Sequence, residues 1–205
     1  PYINHTPLYH WQDDWVDEHV SGGELHLKLE FLQRTGSFKA RGAVNNILTR
    51  DDVEREKGVT AVSAGNHAIA VAYADRTLGV SAKVVMHRGA NPVRVAKCRA
   101  FGAEVVLVDD MTQAFPAMEE IAATENRSVI HPFDGQATMQ GTGTVGLEIA
   151  ESIADLDAVV VAVGGGGLIA GVGAALKALQ PSLTVYGVEP TGASGMSQSL
   201  SCGKF

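Results

Sequence analysis

The stretch AVVVAVGGGGLIAGVGAAL, residues 158–176, decides the fold. It carries no charge and is nearly long enough to cross a bilayer. Six of its residues are glycine, four of them consecutive, and no Trp or Tyr marks a membrane interface. A buried strand, a glycine turn and a helix account for it better. Glycine lets backbone N–H groups come close to an anion, and a helix start adds a favourable dipole. The run therefore reads as a phosphate loop, with a ligand-free tight turn as the plainer alternative. No G-K-[ST] follows, so it is not a Walker A loop. Gly165, Gly167 and Ala170 also satisfy G-x-G-x-x-[GA], and Glu189 ends the next strand, near where a dinucleotide site holds its ribose. Taken alone, the segment would support nicotinamide dinucleotide binding.

Outward from this stretch, apolar runs of strand length alternate with helical patterns. The strands expected are 25–29, 59–62, 82–86, 104–108, 128–131, 158–163 and 184–188. The helices expected are about 37–49, 67–78, 92–101, 112–124, 140–152 and 167–179. Several strands are continuous apolar runs, as a sheet covered on both faces requires. The alternation predicts a doubly wound α/β fold, with ligands at the carboxyl ends of its strands.

Composition narrows the function. Of 205 residues, 45% are hydrophobic and 19% charged, enough apolar material for a sizeable core. The net charge of −7 argues against a nucleic-acid surface, which needs a basic patch. Arg94, Lys97 and Arg99 read as one solvated helix face. Cys98 and Cys202 make neither a zinc pattern nor a disulfide framework, which points to a reducing, cytoplasmic compartment. No signal peptide is visible, and the absence of an initiator Met leaves room for residues before Pro1. None of the seven histidines sits in a metal-ligand spacing such as H-E-x-x-H, so no catalytic metal is expected from them. No G-x-S-x-G elbow is present.

Three further stretches carry chemistry. In SAGNHA, 63–68, small polar residues follow a strand and open a helix; Ser63 and the nearby amides can receive a carboxylate. An ordinary cap at Ser63 or Asn66 is the alternative. In TGSFKARGA, 35–43, Lys39 falls in the first turn of a helix, where the dipole disfavours a cation and helps to free the amine for a Schiff base. In GVEP, 187–190, Glu189 reads first as an ordinary loop carboxylate, then as a ribose or metal ligand.

HTPL (5–8), KLEFLQRTGSFKARGA (28–43), SAGNHA (63–68), HPFDG (131–135), GTGTVGLEI (141–149), VGGGGLIAG (163–171) and GVEP (187–190) occur in this order. Together they resemble the fold-type-II pyridoxal-phosphate enzymes of the serine/threonine dehydratase and serine racemase family, over essentially the whole chain. The resemblance implies two open, twisted, mostly parallel sheets flanked by helices, and pyridoxal 5′-phosphate as cofactor. Lys39 then matches the Schiff-base lysine and catalytic base, and Phe38 the residue packed on the cofactor ring. Asn66 matches the partner of the ring hydroxyl. Gly164, Gly165, Gly166, Gly167 and Leu168 match the phosphate cup. Ser63, Ala64, Gly65, Asn66 and His67 match the loop that receives the substrate carboxylate. The Rossmann reading explains neither Lys39 nor this loop.

The implied reaction is β-elimination from L-threonine or L-serine, giving a 2-oxo acid and ammonia. Hydroxyaspartate or phenylserine is an alternative substrate, and a non-catalytic ligand-binding relative an alternative of another class. Racemases of this family carry Ser where this chain has Ala64, so elimination without efficient racemisation is expected. Family members that bind a divalent cation have an aspartate six residues after the glutamate matched by Glu189; here Gly195 stands there, so no metal is assigned. The resemblance also implies a homo-oligomer, dimer or tetramer. It divides the chain into a large cofactor-binding domain, 1–52 and 136–205, and a small mobile domain, 53–135. Because the family continues beyond the point matched by Phe205, a fragment incomplete at its C-terminus is expected.

Overall fold

The computed structural model describes residues 1–20 and 22–204. In chain order the elements are β1 (Leu8–Trp11), α1 (Asp14–His19), β2 (Leu25–Lys28), α2 (Lys39–Leu48), α3 (Asp52–Lys57), β3 (Val59–Val62), α4 (Asn66–Leu78), β4 (Ala82–His87), α5 (Pro92–Ala100), β5 (Glu104–Val108), α6 (Ala114–Glu125), β6 (Ser128–Val129), α7 (Gln136–Ser152), β7 (Ala158–Ala162), α8 (Gly167–Leu179), β8 (Thr184–Val188) and α9 (Gly195–Cys202).

A four-stranded parallel sheet, ordered β5-β4-β3-β6, forms the centre of the middle third of the chain. Its apolar runs are divided between two faces by the two-residue period of a strand. Val59, Ala61, Val84 and Met86 pack with α2, α4 and Cys98 of α5. Val62 and Val85 point the other way, onto Ala114 and Met118 of α6. This explains why the runs read as continuous: helices cover both sides.

The remaining strands form two pairs, an antiparallel β1–β2 hairpin and a parallel β7–β8 pair. The expected two sheets are thus three hydrogen-bonded units among the described residues. Stretch 158–176 resolves into β7, a glycine turn and α8, and no helix among the described residues is long and apolar enough to cross a membrane.

Helices α2, α7 and α8 lie against one another with little side-chain material between them. A methyl group placed on Gly141 of α7 would stand 2.7 Å from Cα of Gly42 on α2. One placed on Gly146 would stand 2.8 Å from the Val172 carbonyl oxygen on α8. The glycines of GTGTVG therefore let backbones touch.

Candidate active site

Lys39 is the first residue of α2, which begins two residues later than the expected start at 37. Its half-buried side chain donates from Nζ to the Pro132 carbonyl and lies 5.1 Å from the centroid of the Phe38 ring. Burial holds its ammonium below the usual lysine range, and the α2 N-terminus acts in the same direction. The neighbouring Ser37 hydroxyl is buried with no partner among the described residues.

One loop meets this lysine directly, and two more are joined to that loop. The first follows β6. Beyond Pro132, Phe133 lies beneath the glycine turn: a methyl group on Gly165 would collide with its ring, and one on Gly167 with its main chain, 2.9 Å from Cα. His131 stacks edge-on against Phe133, with centroids 4.6 Å apart, and its Nδ1 accepts from the Asp134 amide at 2.9 Å. The second loop is the glycine turn itself. Gly166 takes the left-handed conformation, φ 86°, immediately before α8. Among the described residues, no main-chain acceptor receives the N–H of Gly164, Gly165, Gly166, Gly167 or Leu168. A row of free amides at a helix start is an anion cradle.

The third loop joins β3 to α4. Ser63 Oγ accepts from the Gly65 amide at 3.1 Å, and Ala64 and Gly65 are half-buried. Asn66 is exposed at the start of α4. His67 is only 4% exposed, and its Nε2 donates to the Ile130 carbonyl at 2.9 Å. Burial pushes its pKa down to about 4, and the positive charge of Lys39 acts in the same sense, so the imidazole is neutral at physiological pH. Arg94, exposed on α5, reaches the Ala64 carbonyl with Nη1 at 3.5 Å.

Beneath Lys39 lies a buried ion network. Arg41, 1% exposed, donates to both oxygens of Glu30, at 2.8 and 2.9 Å, and to both of Glu148, at 2.6 and 2.9 Å. Lys28 Nζ joins Glu148 at 2.6 Å and also donates to the Thr6 carbonyl. Burial raises the pKa of Glu148, but hydrogen bonds from Arg41 and Lys28 outweigh it and hold the carboxyl at about 2. Thr6, Lys28, Glu30, Arg41 and Glu148 come from three of the ordered motifs, so those motifs converge on one cluster.

Glu189 follows β8, and among the described residues its carboxylate bonds only to the start of α9. Its carboxylate accepts from the amides of Met196 and Ser197, at 2.8 and 2.9 Å, and from the Ser197 hydroxyl. It anchors the first turn of α9, the ordinary role given first to it above.

Pro132, Phe133 and Arg41 carry much of this geometry, and sequence reasoning gave them no role. Phe133 and Pro132 sat inside HPFDG, and Arg41 two residues after the lysine; the signal was their place in the ordered motifs.

A parallel α/β sheet, a half-buried lysine at a helix start and an amide-lined glycine turn joined to it through Pro132 and Phe133 describe the fold-type-II pyridoxal-phosphate architecture. The family described as pyridoxal-phosphate dependent enzyme matches residues 1–205, and the chain belongs to it. The chain is 50% identical over 202 residues to a phenylserine dehydratase of Ralstonia pickettii, covering 98% of this chain and 61% of that protein. It is 45% identical over 184 residues to the catabolic L-threonine dehydratase TdcB of Escherichia coli K12, covering 89% and 56%. Among solved structures, maize serine racemase superimposes with a TM-score of 0.94 at 36% identity, over 100% of this chain and 62% of that one. The chain thus spans about 60% of the length of relatives such as these.

Proposed function

We propose that this chain carries the lysine and phosphate half of a pyridoxal-phosphate-dependent ammonia-lyase that removes water from a β-hydroxy-α-amino acid, L-threonine or L-serine. The observation that carries this reading is Lys39, made less basic by burial and held at Pro132 opposite the amide-lined turn. The unpartnered amides of Gly164 to Leu168 suit a phosphate, the Phe38 ring beside Lys39 suits a planar heterocycle, and the exposed amide of Asn66 suits a ring hydroxyl. Bound there, pyridoxal phosphate supplies an electron sink for the charge left when an α-proton is removed.

The protein residues would divide the remaining work. Lys39, neutral at Nζ, takes the α-proton. Ser63 and the amides of Ala64 to His67 hold the substrate carboxylate, at the start of α4 where a negative charge is favoured. His67 stays neutral and fixes that loop to Ile130. Ala64 offers no proton, so the opposite face of the substrate has no base from this loop. Residues 53–135 would form a lobe that closes on 1–52 and 136–205 and excludes water. Assembly as a homo-oligomer and a cytoplasmic location complete the reading.

A second reading, phenylserine as substrate, is favoured by the higher identity to the phenylserine dehydratase. Visible absorbance after cofactor addition, borohydride reduction and peptide mass spectrometry test the site. A phosphopyridoxyl adduct on Lys39, with 2-oxo acid released from threonine, serine or phenylserine, is expected. A colourless protein that takes up no cofactor would leave a ligand-binding relative.

A further inference from the structure

The β1–β2 hairpin brings together three side chains that the lysine site does not use. Antiparallel register sets His10 directly opposite His26. Residues so paired share one face of a hairpin, with Cβ atoms about 5 Å apart. Glu24, two residues before His26, returns to the same face by the two-residue period of an extended chain. Its Oε2 accepts from His26 Nε2 at 3.0 Å. The two imidazoles lie nearly parallel, 17° between planes and 4.7 Å between centroids. One ligand atom from each of the three residues lies within 4.8 Å of the other two.

We propose that His10, Glu24 and His26 bind a divalent transition-metal cation of the Zn2+ type. Two imidazole nitrogens and a carboxylate oxygen are a zinc donor set, and three protein ligands leave a fourth position for water or an added ligand. Bonds of about 2.0–2.2 Å to a common centre require the ligand atoms to close in by side-chain rotation, since backbone pairing already sets His10 opposite His26. Nitrogen-rich donor sets favour zinc, cobalt, nickel and copper over magnesium and calcium, which take oxygen.

A plain hydrogen-bonded pair accounts for Glu24 and His26, and His10 stacks on His26 as its cross-strand neighbour, so the hairpin itself gathers the three donors. Access is open: Glu24 and His26 also line a cleft of about 510 Å3 between the hairpin and β7. A cation here would pin the hairpin whose continuation supplies Lys28 and Glu30 to the Arg41 network.

The test is titration of the chelator-treated full chain with ZnCl2 by calorimetry, and with Co2+ by visible absorption. One cation per chain is expected, bound with imidazole-type cobalt spectra. His10→Ala and His26→Ala should each weaken binding by more than the roughly 10–100-fold that loss of an outer-shell partner costs. His87→Ala, on β4, should leave it unchanged. X-ray absorption of the zinc-loaded unmodified chain should count two imidazoles, which keeps the test decisive if a variant misfolds. No uptake at stoichiometric zinc, uptake insensitive to both substitutions, or a zinc shell without two imidazoles would each overturn the proposal. None of these readouts depends on the lysine site being catalytic.

Discussion

Lys39 and Pro132 are joined by a hydrogen bond from the lysine Nζ to the proline carbonyl, across 93 residues of sequence. Because Phe133 follows and underlies Gly165 and Gly167, one dipeptide sets the lysine against the anion cradle.

An amine acts as a base only when neutral. Burial holds Lys39 below its ordinary range, so turnover should rise as pH climbs through that lowered value. Lys39→Ala should reduce 2-oxo acid formation by at least about 10^2–10^4-fold. Lys39→Arg, charged at every accessible pH, should stay inactive across the profile.

Gly165→Ala places a methyl group into the Phe133 ring, whereas Gly167→Ala meets Phe133 main chain. Each overpacking should cost about 1–3 kcal/mol and weaken cofactor binding, read by fluorescence titration. Adding Phe133→Ala should restore the Gly165→Ala protein and leave the Gly167→Ala protein impaired. Equal rescue of both would refute the assigned contacts.

Arg41→Met strands two carboxylates and should destabilise the fold by about 3–5 kcal/mol, measured by urea unfolding. Glu148 gives this network its pH signature. Its folded pKa of about 2 lies under the ordinary glutamate value of 4.5, so the unfolded chain takes up the proton first. The contribution, roughly 3 kcal/mol, is complete above pH 4.5 and drains away as pH falls to about 2. Glu148→Gln should remove that acid dependence along with the stability.

If Ala64 is what withholds a second base, the unmodified protein should not interconvert L- and D-serine at rates near those of elimination. Ala64→Ser should raise racemisation relative to elimination, measured by chiral chromatography of recovered serine. Comparable racemisation in the unmodified protein would contradict the role given to Ala64.

Strands β3, β4, β5, β7 and β8 were legible as apolar runs; burial on both faces accounts for β3 and β4, whereas β7 and β8 keep their apolar composition although several of their residues are exposed. Elements with little apolar content were not. Helix α3 has Val53 as its one aliphatic residue, although its capping box of Asp51 and Glu54 and its end at Gly58 were local signals that stood unread. Strand β1 is four residues of mixed polarity, and α9 depends on Glu189, six residues upstream of its first residue, for its cap. Within the candidate site, Lys39 and the two loops rested on motif order. Arg41 could not be separated from a surface arginine by local sequence, because its partner Glu148 lies 107 residues away. The pairing of His10 with His26 was likewise hidden, since ligand spacing within one strand or helix says nothing about residues brought opposite by a hairpin.

The backbone contacts among α2, α7 and α8 have a mechanical consequence. Lys39 begins α2 and the anion cradle begins α8, with α7 between them. Contacts at Gly141 and Gly146 make the separation of these two ends a matter of peptide thickness rather than side-chain length. Flexible side chains would act as springs between them; touching backbones act as a gauge block. A single added carbon at Gly146 would change that gauge remotely, shifting the reach from lysine to cradle while leaving every residue of both ends intact.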